Sequence, residues 1–395
     1  MKELIYDWNP PANLKMPELC DETLRDGLQS PSVQEPDLET QIQILGLMSQ
    51  LGITIADIGL PGAGARAAEN TLQLAKYLAT QKPALQAYCA ARTVEADIRP
   101  IADIQQQAGI PIAAYCFLGT SPIRQAVEDW NLDRLLHTCE TALNFAHQQN
   151  LEVAFVTEDT TRSHPDTLSV LFKRAVDMGV RRLVLCDTCG HSTPEGVSNL
   201  VTWTRNRVDD KIALDWHGHN DRGLGLINAL AAAKAGCRRI HGTCLGIGER
   251  VGNTSMDQLI INFKLLGLYT GDTHALSAYT RLVSKACGVP IPYNYPVFGQ
   301  DAFRTATGVH AAAVIKAEQK GEPGWADLVY SSVSASDFGQ EQIIEIGPMS
   351  GLSNIRYWLS HRQIAATEKQ VAQIFQTAKD SKHILSDAQI RGCLL

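Results

Sequence analysis

Short apolar, β-rich runs recur along the chain about every thirty residues, the length of one strand, loop and helix. They fall at residues 17–23, 53–60, 84–92, 110–117, 151–159, 181–188, 211–219 and 238–246, which makes eight. Between them the apolar positions change to helical spacing, as over 37–52, 166–180 and 222–236. Several of these stretches open on a capping residue with Pro in the first turn, as at Thr193 and Pro194, and others stop at Gly52, Gly179 or Gly236. Eight β/α units without long insertions predict an α/β fold, a (β/α)8 TIM barrel over about residues 16–270. A doubly wound open sheet would carry fewer strands and a glycine-rich phosphate loop after the first, and neither G-x-G-x-x-G nor a Walker sequence is present. Past the barrel the pattern breaks. The Pro-rich stretch 287–300 reads as a linker, and two or three helices with a polar loop over 319–332 follow it. The expected division is a barrel domain, 1–275, and a small, mainly helical C-terminal region, 276–395.

Composition narrows the class. With 45% hydrophobic and 19% charged residues over 395 positions, the chain is neither disordered nor coiled coil. A net charge of −7 argues against a nucleic-acid backbone or an anionic membrane as partner, while leaving room for a small anionic substrate held by one or two Arg. No stretch approaches the roughly 20 apolar residues of a membrane span, and the first twenty residues lack the apolar core of a signal peptide. A soluble, cytoplasmic protein is expected. The ten Cys sit mostly inside apolar runs and read as small buried hydrophobes. The one close pair, Cys186 and Cys189, reads as accidental spacing, because no second pair completes a zinc site.

In a barrel, the C-terminal ends of the strands meet at one mouth, and polar residues collect there. His217 and His219 lie two apart on the seventh run, so both imidazoles can face one ion. Asp26 and Asn253, at the ends of the first and eighth units, are the candidates for the remaining ligands. Two imidazoles, a carboxylate and an amide leave a divalent ion open to substrate, without deciding among Zn, Mn, Mg and Co. Arg25 could donate to a developing oxyanion or a carboxylate, or form a rim salt bridge. Glu158 could act as general base or orient one, or pair with Arg162. Thr188 could bind a substrate carboxylate or satisfy backbone at the strand end. His310, taken alone, reads as a core or helix-surface histidine.

The segments DETLRDGLQSP (21–31), VTEDTTR (156–162), CDTCGHSTPEG (186–196), HGHNDRGLG (217–225) and GTCLGIGERVGN (242–253) resemble successive signatures of the isopropylmalate synthase and homocitrate synthase family. FGQDAFRTATGVHAAA (298–313), LVYSSVSASDFG (328–339) and IGPMSGLSN (346–354) continue the match, so it covers nearly the whole chain. The family's members are metal-dependent barrel enzymes that join acetyl-CoA to a 2-oxo acid. The resemblance implies one divalent ion on Asp26, His217, His219 and Asn253, with the 2-oxo acid chelating it. It implies Arg25 on the carbonyl oxygen, Thr188 on the substrate carboxylate, and His310 and Tyr330 acting with Glu158 in proton transfer. It also implies a homodimer in which the C-terminal region reaches the neighbouring barrel.

Departures from the family pattern bear on the substrate. Arg124 lies where isopropylmalate synthases tend to have His, and Leu28 replaces the Glu of homocitrate synthases. The surface around Ile58, Gly59, Leu60, Pro61, Ala90 and Arg92 is expected to meet the side chain of the oxo acid. Its small and apolar character favours an aliphatic or aromatic oxo acid, such as 2-oxoisovalerate or phenylpyruvate, unless Arg124 or Arg92 meets a distal carboxylate. The alternatives are a homocitrate synthase, a lyase cleaving the reverse bond, and a metal-binding barrel without catalysis. The chain ends about 40 residues after IGPMSGLSN, without a leucine-sensing domain, so millimolar leucine is expected to leave turnover unchanged.

Overall fold

A computed structural model describes residues 4–81 and 85–395. Ala84, the first residue of the third expected strand, lies outside these, as do the first three residues of the segment read for a signal peptide. Among the described residues, eight parallel strands close into a barrel in sequence order. They are β1 (Glu18–Asp21), β2 (Ile55–Asp57), β3 (Gln86–Arg92), β4 (Ile112–Gly119), β5 (Val153–Glu158), β6 (Arg182–Asp187), β7 (Ala213–Gly218) and β8 (Arg239–Gly242). Seven lie within the eight apolar runs, and β4 runs two residues past the end of its run at 117. Pairing of β1 with β8, Leu19 opposite Ile240 and Cys20 opposite His241, closes the ring.

The intervening segments fold as the helical spacing predicts, with Leu38–Gln50, Pro165–Asp177 and Gly225–Ala235 as examples. Thr193 accepts a hydrogen bond from the Gly196 N–H at 3.2 Å and caps Pro194–Arg205, while Gly236 ends Gly225–Ala235 at φ 109°. The barrel interior is divided in character. Ile55, Tyr88, Tyr115, Ala154, Val184 and Cys186 fill one side as an apolar cluster. The side formed by β7, β8 and β1 carries buried Asp215, His241, Arg239 and Glu22.

The chain divides into two units, one spanning Pro11–Pro290 and the other holding Ile291–Leu395 with the N-terminal residues up to Pro10. The barrel unit therefore runs past the expected break at residue 275. Helix Ala275–Cys287 belongs to it because the Tyr279 hydroxyl bonds to Asp21 and, at 3.1 Å, to Thr23 beside β1. The second unit is richer in helix than the two or three expected. It holds Gly308–Lys320, Trp325–Leu328, Leu352–His361, Glu368–Asp380 and Asp387–Gly392. Two of these open on capping boxes, Thr367 with Gln370 and Ser386 with Gln389. Two short strands, Arg304–Thr305 and Ile343–Ile344, pair in parallel, and Trp358, Ile355, Ile374 and Ile390 form the core. No described helix is long and apolar enough to cross a membrane.

Candidate functional site

At the mouth of the barrel, three ligand-type side chains converge. His217 ends β7, and His219 follows one residue beyond it on the same face, bridged in antiparallel fashion to Asn253. Asp26 enters from the 3-10 turn Asp26–Gln29 after β1. The two Nε2 atoms of the histidines lie 3.2 Å apart, and Asp26 Oδ2 lies 3.6 Å from the first and 3.7 Å from the second. Asn253 joins them, its amide nitrogen donating to Asp26 Oδ2 at 2.5 Å.

Donor chemistry in this cluster suits a divalent ion. The two imidazole nitrogens, 3.2 Å apart, are separated as two donors about 2.1 Å from one shared cation would be. Burial, with His217 alongside, lowers the pKa of His219 to about 4, so its ring offers a lone pair at neutral pH. Burial opposes charge on Asp26, but Arg25 and His217 hold its carboxyl below the usual range. The Asn253 Oδ1 atom is buried without a hydrogen-bond partner. Turning that amide over would aim this oxygen at the carboxylate, an arrangement that only a cation between them would favour. Asp26, His217, His219 and Asn253 could therefore hold the ion.

The loop that carries Asn253 depends on glycine. Gly248 has φ 151°, and a Cβ there would lie 2.1 Å from Asn253 Oδ1. Gly248→Ala is therefore expected to displace the amide and weaken Mn2+ binding at least tenfold, as outer-shell changes at metal sites commonly do. Isothermal titration checks this, and unchanged affinity would show that the Asn253 oxygen is no ligand.

Arg25 is held among three carboxylates. Its Nε donates to Asp57 at 2.6 Å, Nη1 to Asp26 at 2.8 Å, and Nη2 reaches Glu22 at 3.4 Å. Burial works against its charge, but Asp26, Asp57 and Glu22 hold the guanidinium protonated. The rim salt bridge and the site residue are thus one arrangement. Glu22 in turn lies 2.7 Å from His217 Nδ1 and accepts from the Tyr88 hydroxyl at 2.5 Å. Glu22 and Asp57 were missed by sequence reasoning. Their signal was a charged residue inside or directly after an apolar run, where an interior or mouth position is the only polar surrounding a barrel offers.

A cavity of about 340 Å³ opens over the cluster. Leu60, Ala90, Phe117, Val156 and Val184 form an apolar wall, and Glu158, Thr188 and Glu249 line it as well. Glu158 does not pair with Arg162, whose guanidinium grips Asp159 at 2.8 and 2.7 Å. Burial raises the Glu158 pKa, Arg124 opposes this, and Asp159 and Glu249 reinforce it. The Thr188 hydroxyl accepts from the Asp159 N–H at 2.8 Å, which leaves its own proton to donate. Arg124 stays off the cavity wall, 3.3 Å from Glu128 and 3.9 Å from Glu158, and Arg92 is locked on Asp97 by two 2.8 Å bonds. In the C-terminal unit His310 and Tyr330 stack, ring centres 3.9 Å apart, with a 2.8 Å hydrogen bond between Nε2 and the phenol. Cys186 is buried and Cys189 partly so, and all ten thiols are free.

Comparison with known proteins bears on the family. A family model described as HMGL-like matches residues 16–283. The homocitrate synthase AksA of Methanothermobacter thermautotrophicus is 30% identical over 97% of this chain and 94% of its own length. A probable 2-isopropylmalate synthase of Methanopyrus kandleri is 30% identical over 92% of this chain and 69% of its own, and a putative (R)-citramalate synthase, CimA, of the same organism is 28% identical over 99% and 74%. Among solved structures, the HMG-CoA lyase of Bacillus subtilis superposes with a TM-score of 0.61 at 18% identity, covering 72% of this chain and 97% of the lyase. That likeness concerns the fold alone.

Proposed function

The chain belongs to the HMGL-like family, in its isopropylmalate synthase and homocitrate synthase branch, and from that premise we propose a divalent-metal-dependent acyltransferase that condenses acetyl-CoA with an apolar 2-oxo acid. The observation that carries the choice of substrate is the cavity wall. Its lining includes Leu60, Ala90, Phe117, Val156 and Val184, and Arg25 is its one lining guanidinium, already engaged by Asp57, Asp26 and Glu22. Of the residues that could have met a distal carboxylate, Arg92 is bound to Asp97, and Arg124, 3.9 Å from the lining Glu158, does not itself line the cavity.

In this reading Asp26, His217, His219 and Asn253 hold the ion, which when bound supplies Lewis-acid polarisation of the keto group. Arg25 donates to the keto oxygen as it gains negative charge. Thr188 donates to the substrate carboxylate. Glu158, with His310 and Tyr330, serves the removal of a proton from the acetyl methyl, and the resulting carbon nucleophile attacks the keto carbon. Water then cleaves the thioester, so a 2-substituted malate and free CoA leave the site. A homodimer is the proposed assembly, and small molecules are the proposed partners.

Glu158 must be ionised to accept a proton. Because burial raises its pKa, the acid limb of kcat/KM is expected above the ordinary glutamate value of about 4.3, with activity falling as pH drops through it. Glu158→Gln should remove that limb and lower kcat by about 10²- to 10⁴-fold. An unchanged limb in the variant would assign the ionisation elsewhere.

The reading is tested by thiol release from acetyl-CoA with 2-oxoisovalerate, 2-oxoisocaproate, pyruvate, phenylpyruvate and 2-oxoglutarate, with Mg or Mn and with EDTA. Release with an apolar oxo acid, abolished by chelation, is expected. A preference for 2-oxoglutarate would make the protein a homocitrate synthase. Metal binding without release on any oxo acid would support the lyase or the non-catalytic barrel, which assays of the reverse cleavage separate.

A further inference from the structure

Charge runs along the interior of the barrel with the two-residue period of its strands. Asp215 and His217 share one face of β7 and Arg239 and His241 one face of β8, while at β1 Glu18 and, beyond Cys20, Glu22 share the corresponding face. At the lower end Arg182 donates to Asp215 at 2.5 Å, and Arg239 lies 2.7 Å from Glu18. One layer higher, His241 stands between two carboxylates. Its Nε2 lies 3.4 Å from Asp215 Oδ2, and its Nδ1 lies 2.9 Å from Glu22 Oε1. The other Glu22 oxygen, Oε2, lies 2.7 Å from Nδ1 of His217. Glu22, Asp215 and His241 are all buried.

Barrel interiors are ordinarily filled by branched apolar side chains, and buried charge is costly. A continuous ionic chain that ends on one particular imidazole therefore calls for a use. Glu22, His217 and His241 come close enough to suggest a second ion site. Instead, Glu22 Oε1 is hydrogen-bonded to His241 at 2.9 Å, and Oε2, buried without a hydrogen-bond partner, faces His217 Nδ1 across 2.7 Å, where a ring proton would supply the partner it lacks. A proton held on Nδ1 of His217 leaves its Nε2 lone pair facing Asp26 and His219.

We propose that His241 is a positioning residue for the metal ligand His217, acting through Glu22 to hold the imidazole in the tautomer and orientation that present Nε2 to the ion. The assignment rests on the metal-site reading above. Three groups converge on Glu22 Oε1, Tyr88, His241 and, at 3.4 Å, Arg25 Nη2, and of these His241, registered opposite Cys20, approaches from the layer below Glu22. It therefore sets the position of Glu22 along the barrel axis, and Glu22 sets the ring of His217.

Two substitutions separate this role from packing. In His241→Asn the amide nitrogen takes the place of Nδ1 and keeps the bond to Glu22. In His241→Gln it takes the place of Nε2, keeping Asp215 and dropping Glu22. Titration of the metal-free proteins with Mn2+ is expected to show affinity about 10- to 100-fold weaker for the Gln variant and within about threefold of wild type for the Asn variant. Thermal transitions of both metal-free variants should fall together, which separates affinity from stability. Equal affinities in the two variants, with normal wild-type binding, would overturn the assignment alone. A wild-type protein that binds no Mn2+ would overturn the metal-site reading and this assignment with it. Should a variant not fold, 15N spectra of histidine in the metal-free wild type decide the matter. His217 protonated on Nδ1 is expected, and protonation on Nε2 overturns the proposal.

Discussion

His217→Ala is expected to abolish divalent-ion binding and to lower thiol release by 10³-fold or more. The ring touches Asp26 and His219 on one edge and Glu22 on the other, at separations of 3.6, 3.2 and 2.7 Å, so its loss removes a ligand and leaves one oxygen of the buried Glu22 without its contact. Lewis-acid stabilisation of a developing alkoxide contributes several kcal/mol, and each 1.36 kcal/mol is tenfold in rate, which sets the scale. His219→Ala and Asp26→Asn should follow in the same direction. Atomic emission on the desalted protein and the thiol assay measure the two effects separately. Wild-type turnover in the His217 variant, or turnover insensitive to EDTA, would defeat the metal-centred reading altogether.

Arg25→Lys should be nearly as damaging despite keeping the charge. The guanidinium reaches Asp57, Asp26 and Glu22 from three different nitrogens, and an ammonium cannot span that fork. Loss of one donor aimed at a developing oxyanion costs about 10²- to 10³-fold in kcat, and the KM of the oxo acid should change far less if the contact strengthens in the transition state. Arg25→Gln should add a stability penalty of about 3–5 kcal/mol, because Asp57 is fully buried and loses its 2.6 Å partner. Steady-state kinetics and a thermal melt of both variants check this. Should kcat stay within a few-fold in the Lys variant, Arg25 would be structural only.

The barrel could be read from the chain because its signals are local. Strands such as IAAYCFLG are apolar throughout, since helices cover them outside and neighbours fill the inside, and the change to helical spacing marks each crossover. The position of His217, His219 and Asp26 at one mouth then follows from topology, as parallel strands in a ring end on the same side. The C-terminal unit was less readable. Its helices Trp325–Leu328 and Asp387–Gly392 are four and six residues long, too short to show an apolar period, and its strands are two residues long.

Local pattern by itself thus determined the eight strands, the ligand-bearing ends and, through family motifs, the chemistry to expect. What surrounds those ligands was decided by tertiary structure alone. Glu22 meets His241 across 219 positions, and Tyr88 across 66, through strand registers that barrel closure imposes. Arg162 chooses Asp159 over Glu158, and Arg92 turns to Asp97, for reasons of side-chain reach that no spacing rule contains. A two-residue period says that a charge shares a face with its neighbour on the strand. Which charge faces it from the next strand depends on the stagger of the closed sheet, a property of the whole ring and of no single segment.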